Sequence, residues 1–170
     1  TINDARKKEV DFTDPYIDSN QGVAVAKNSG YADTDSLNVA GVKIAVQSGT
    51  TSEEWAQENL PRATTVNFDD WTAAFTAVMS GQCQAVVCDL PVEQWMVNGS
   101  FTDMEIIEEV PTGEQFGIAV SKDNPELTAA INTALKQIRA DGRYDELYEK
   151  YFGTKPSSSS SSTTDTEGYS

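Results

Sequence analysis

Three short polar stretches carry the residue types that could meet a charged ligand. The first is Thr1-Ile2-Asn3-Asp4-Ala5-Arg6, continuing through Val10, Phe12 and Asp14-Pro15-Tyr16. The second is Val46-Gln47-Ser48-Gly49-Thr50-Thr51-Ser52-Glu53, and the third is Ala85-Val86-Val87-Cys88-Asp89. The last two follow runs that read as buried strands, and in open α/β sheets ligands bind beyond the strand ends. A guanidinium can grip both oxygens of one carboxylate. A strand leading through a glycine-containing loop into a helix leaves N–H groups aimed at an anion. Each stretch also has a plainer reading: Arg6 as a surface arginine in a Lys/Arg run, Thr50 to Ser52 as the cap of a helix beginning near Glu53, and Asp89 as a helix cap before Leu90-Pro91.

The elements that must position these residues alternate between strand and helix, which predicts an α/β fold with largely parallel sheets. Residues 23–26, 42–46, 66–68, 85–88, 106–107 and 116–120 read as strands. Residues 53–60 read as a helix stopped by Pro61. Trp71, Ala74, Phe75, Val78 and Met79 recur at helical spacing before Gly81 and form a core stripe. A further helix starts near Pro91. Asn124-Pro125 opens another, with Leu127, Ile131, Leu135 and Ile138 on its apolar face and Gly142 at its end. The last carries Tyr144, Leu147, Tyr148, Tyr151 and Phe152 before Gly153. Residues 154–170, with six consecutive serines and almost nothing to bury, are expected to be a disordered tail.

Composition narrows the chemistry. The 170 residues carry a formal net charge of −15 and no histidine, which disfavours nucleic acid and anionic membranes as partners and excludes His-based triads. No window approaches the roughly 18 to 20 apolar residues of a membrane span. Any export signal would lie upstream. Five residues of strand between Cys83 and Cys88 hold their α-carbons about 16 Å apart, beyond the reach of a disulfide. Both thiols are expected free and at least partly buried, with no metal site and no cofactor.

In order and spacing, the stretches resemble the amino-acid-binding branch of the extracytoplasmic solute-binding proteins of ABC importers (family 3, type II periplasmic binding proteins). The Thr1 to Tyr16 stretch is similar to T-I-T-x-E-R-x-x-x-V-x-F-S/T-x-P-Y, with Asn3 and Ala5 departing from it. The Val46 to Glu53 stretch is similar to V-x-x-G-T-T/S-x-E. The Ala85 to Asp89 stretch, with Ser80-Gly81-Gln82 before it, is similar to S-G-x-x-D-A-V-x-x-D with Gln84 departing. Phe116 to Lys122, Asp141 to Tyr144 and Lys150 to Gly153 resemble the family's C-terminal strand and helix pair.

The resemblance implies two lobes joined by a hinge. Residues 21–111 would form lobe 2 complete, residues 1–15 and 117–153 a partial lobe 1, and residues 16–20 and 112–116 the crossings. Arg6 would pair with the ligand carboxylate, together with Thr51 and the backbone amides of Thr50 and Thr51. Asp89 would take the ammonium, Thr1 would face the ligand, and Gln47 would meet a polar side chain. The implied function is binding of a free, polar amino acid outside the cytoplasmic membrane, in the periplasm or as a cell-surface lipoprotein, and its delivery to an ABC permease. Two rivals are a sensing ectodomain and a cyclohexadienyl dehydratase on the same fold. The dehydratase needs an acid–base pair where these residues form a binding set. A partial lobe 1 should expose apolar surface and favour self-association or domain swapping.

Overall fold

The computed structural model describes residues 1–153; the expected Ser/Thr-rich tail lies outside the described residues. In chain order the elements are α1 (Asp4–Lys7), β1 (Asp11–Phe12), β2 (Ile17–Asp18), β3 (Gln21–Ala26), α2 (Thr34–Leu37), β4 (Lys43–Gln47), α3 (Thr51–Asn59), β5 (Thr64–Phe68), α4 (Trp71–Met79), β6 (Ala85–Asp89), α5 (Leu90–Gly99), β7 (Met104–Val110), β8 (Gln115–Phe116), β9 (Ala119–Val120), α6 (Pro125–Ala140) and α7 (Arg143–Phe152). Among the described residues no helix is long and apolar enough to cross a membrane.

The centre is a five-stranded sheet in the order β5-β4-β6-β3-β7. Its middle strands are apolar without alternation because both faces are covered. On one face Val23, Val25, Ile44, Val46, Ala85 and Val87 pack with Leu37, Ala56 and Leu60. On the other, Ala24, Ala45, Val86 and Cys88 meet Phe75, Ala74 and Val78 of α4 and Met104. The α4 stripe is core as its spacing predicts, except Met79, which is 40% exposed at the helix end. Cys83 and Cys88 are both buried and free, and burial pushes both thiols up.

The expectation of a largely parallel sheet needs correction. β4 runs parallel to β5 and β6, but β3 is antiparallel to both β6 and β7. The reason is where the chain enters: β3 starts at the edge where β6 and β7 finish, so Gln21 lies opposite both Asp89 and Val110. That reversal brings a strand start beside the expected ligand-side edge.

The expected single strand over 116–120 is also divided. β8 pairs with β2 and β9 with β1, because the Thr13 hydroxyl accepts the Ile118 N–H at 3.0 Å and interrupts the ladder. Gly117 permits the approach: a Cβ there would lie 2.7 Å from Ile2 Cδ1 and 3.2 Å from the Thr13 carbonyl.

α6 and α7 bury no residue fully. Leu127, Leu147 and Tyr151 are between 45% and 47% exposed, which agrees with the expected apolar surface on this part. Arg139 anchors the pair to the start of β2, donating to the Tyr16 carbonyl at 3.1 Å while its guanidinium lies 4.3 Å from the Tyr144 ring centre.

Beneath the sheet edge, Glu93 of α5 is fully buried and neither carboxyl oxygen has a hydrogen-bond partner among the described residues. It fits because residue 22 is glycine: a Cβ on Gly22 would sit 1.8 Å from Glu93 Oε2. Burial, and then the charge of Asp89, push the Glu93 pKa well above its ordinary 4.5. The unfolded chain therefore ionises first, so this residue's contribution is intact below pH 4.5 and is lost as pH rises towards the folded value. Relative to Glu93→Gln, the native chain should lose stability steadily between pH 4.5 and neutrality in urea titrations. A pH-independent difference would show that Glu93 ionises alike in the folded and unfolded chain.

Candidate functional site

The parallel strands β4 and β6 end at the edge where β3 begins, and the β2–β8 ladder joins it through the segments before β3 and after β7. Gln21, Thr51, Asp89 and Glu114 therefore converge from four separate segments. Gln21 is fully buried and organises the group. Its amide oxygen accepts from the Ser52 hydroxyl at 2.7 Å, which fixes the amide's orientation. Its nitrogen lies 2.8 Å from Asp89 Oδ1 and 2.9 Å from Glu114 Oε1. Two amide protons serve these two carboxylates, so the third neighbour, Thr51 Oγ1 at 3.3 Å, is a weaker contact.

Glu114 Oε2 collects two hydroxyl protons, from Thr51 at 2.7 Å and Thr1 at 3.0 Å. Burial acts to raise the Glu114 pKa, but the Thr51, Gln21, Thr112 and Thr1 side chains together outweigh it and hold the carboxyl below its usual range. Asp89 is moved the other way. Burial first, then the facing Glu114 charge, raise it against the Gln21 amide, the Thr1 ammonium and, least of these, the Arg6 charge. Asp89 precedes α5 without capping it by its side chain, so the plainer cap reading fails here and the carboxylate remains turned to the cluster.

Arg6 stands in the last turn of α1, a helix started by the Asn3 side chain, which accepts the Arg6 N–H at 2.8 Å. Its guanidinium donates to the Thr1 carbonyl at 2.9 Å and makes no ion pair among the described residues. It also lines, with Thr1, Val10, Phe12 and Gly117, a cavity of about 510 Å³ on the β1–β9 side.

The structure thus joins Thr1, Thr51 and Asp89 through Gln21 and Glu114, and Arg6 is tied to the group through the Thr1 carbonyl. Two expected residues stand differently. The Thr50 side chain is committed to the α3 cap: it accepts the Glu53 N–H at 3.2 Å and donates to the Gln47 carbonyl at 2.7 Å. Thr50 retains only the backbone role expected of it, among first-turn N–H groups that lack intrahelical acceptors. Gln47 enters these contacts through that carbonyl rather than its side chain. Gln21, Ser52 and Glu114 were not foreseen. The one available signal was a glutamine opening an otherwise small and apolar run, Gln21-Gly22-Val23-Ala24-Val25.

An α/β chain whose strand ends and helix starts converge on two acids and several hydroxyls, with a guanidinium tied to them through Thr1, has the build of a small-molecule binding protein. It belongs to the bacterial extracellular solute-binding proteins, family 3, whose model matches residues 1–154. The chain is 36% identical over 156 residues to the ABC transporter glutamine-binding protein GlnH of Bacillus subtilis (strain 168), covering 92% of this chain and 56% of that protein. It is 33% identical to the putative ABC transporter arginine-binding protein 2 of Escherichia coli (strain K12), covering 89% of this chain and 63% of that one. The chain therefore spans about three fifths of the length of these relatives.

Among solved structures, the ancestral amino acid-binding protein AncCDT-1, a precursor of cyclohexadienyl dehydratase, aligns with TM-score 0.81 at 41% identity, covering 89% of this chain and 66% of that one. An ancestral arginine-binding protein bound to glutamine aligns with TM-score 0.79 at 39% identity, covering 90% and 68%. The fold is the type II periplasmic-binding-protein fold.

Proposed function

We propose that this chain binds a free polar amino acid at the Arg6, Thr51 and Asp89 cluster and hands it unchanged to an ABC permease outside the cytoplasmic membrane. The observation that carries this reading is the link, through Thr1, between a guanidinium with no ion pair among the described residues and the sheet-edge group that holds Asp89, a carboxylate whose side chain caps no helix. A zwitterion needs that pair of opposite charges, because both its ends leave water and each costs several kcal/mol if unmatched. Arg6 and the Thr51 hydroxyl and N–H take the carboxylate, and Asp89 takes the ammonium. Thr1 borders the site, and the Thr50 N–H adds to the anion-facing turn. Relatives named for glutamine and arginine binding support the ligand class and the transport role.

In this reading residues 21–111 form one lobe, residues 1–15 and 117–153 belong to the other, and closure occurs about 16–20 and 112–116. The chain is not an enzyme in this reading: a dehydratase would need a proton donor poised at a leaving group, whereas Asp89 is assigned to an ammonium. A thermal-shift panel of the twenty amino acids tests the ligand class. A ligand at a hundred times its Kd adds about 2.7 kcal/mol to the folded state, so one or a few polar amino acids should raise Tm by several degrees. A uniform response across the panel would reject specific binding.

A further inference from the structure

Glu114 Oε2 holds the Thr51 hydroxyl proton at 2.7 Å and the Thr1 hydroxyl proton at 3.0 Å. A threonine hydroxyl has a single proton to give. While Glu114 is in place, neither hydroxyl can donate to a second carboxylate. The two donors come from distant parts of the chain, 113 and 63 residues from Glu114, and they meet at one oxygen. A third donor, the Gln21 amide, is held in position by Ser52 and serves the other oxygen. These are donors that a free carboxylate could use beside Arg6, already filled from within the chain.

We propose that Glu114 is a built-in occupant of the carboxylate site, holding the Thr1 and Thr51 hydroxyls until an incoming carboxylate displaces it. The donor count stands without reference to any ligand; identifying the displacing group as that of an amino acid rests on the function proposed above. Glu114 lies in the segment between β7 and β8, directly after Gly113, whose φ is +71°. Its release would therefore loosen the second crossing at the moment the ligand arrives, coupling occupancy of the site to the freedom of that segment. The bonds held by Glu114 are charge-assisted and are given up on binding, so the residue lowers affinity while ordering the empty site.

Glu114→Ala tests this in two ways. It should lose thermal stability, and acetate should restore part of the loss relative to chloride at equal ionic strength, because a free carboxylate can enter the vacated donors. Wild type should show no such acetate effect. By calorimetry, any amino acid that binds wild type should bind Glu114→Ala roughly tenfold more tightly, a free-energy change of about 1.4 kcal/mol. Glu114→Gln, which keeps the shape without the charge, should fall between. Acetate acting equally on both proteins, or on neither, would overturn the occupant role. So would affinity that is unchanged or weaker in both folded variants. Acetate rescue without amino-acid binding by any of the proteins would retain the occupant and refute the amino-acid reading.

Discussion

Gly22→Ala should destabilise the chain by about 1–3 kcal/mol, and Glu93→Ala in the same molecule should recover most of that loss. The added methyl would lie 1.8 Å from Glu93 Oε2, 2.9 Å from Glu93 Cδ and 3.2 Å from Leu90 Cδ1. The leucine can yield by a few tenths of an ångström. The carboxyl cannot, because Glu93 is fully buried between α5 and the sheet. Removing it relieves the overlap and also deletes a buried acid with no hydrogen-bond partner. A double-mutant cycle by urea unfolding should return a coupling of about 1–3 kcal/mol. Simple additivity would mean that residue 22 is glycine for some other reason.

The other large effect concerns Gln21. Gln21→Met preserves the volume but removes the acceptor of Ser52 and the donor shared by Asp89 and Glu114. Hydrogen bonds to charged groups contribute about 1.5–3 kcal/mol each, and a buried hydroxyl left unpaired adds its desolvation cost, so a loss of about 3 kcal/mol is expected near neutral pH. The sign with pH follows from the carboxylates. Gln21 donation lowers both their pKa values, so its stabilisation is present while they are ionised and is lost as pH falls through their folded values. The variant should therefore approach wild type in acid. A constant deficit at all pH values would place the effect in packing rather than in the bridge between two acids.

The fold was legible where hydrophobic pattern decides it. The runs over 42–46 and 85–88 and the stripe from Trp71 to Val78 became the covered sheet and one of its helices. Strand direction was not legible, because alternation and apolar runs carry no sign: β3 is reversed by where the chain enters the sheet. The split of 116–120 depended on one hydroxyl, that of Thr13, from 105 residues away.

The site divides in the same manner. Thr51 and Asp89 sit in stretches whose local order, strand then loop or helix, says where their side chains must be, and the structure brings them together. Gln21 and Glu114 stand in no such stretch. Their importance arises from antiparallel register and from the segment between β7 and β8, and so appears only in three dimensions. Thr50 shows the opposite case: a hydroxyl beside an anion-facing turn whose bonds close locally on the cap.

Isothermal titration calorimetry of this chain against the twenty amino acids, repeated with Arg6→Ala and Asp89→Ala on each ligand that binds, tests the central claim most directly. The predicted result is a one-site isotherm for a polar amino acid, weakened by each substitution by about 2–5 kcal/mol, roughly thirtyfold to several thousandfold. Binding that survives both substitutions in folded variants would contradict the assignment of carboxylate and ammonium to these two residues.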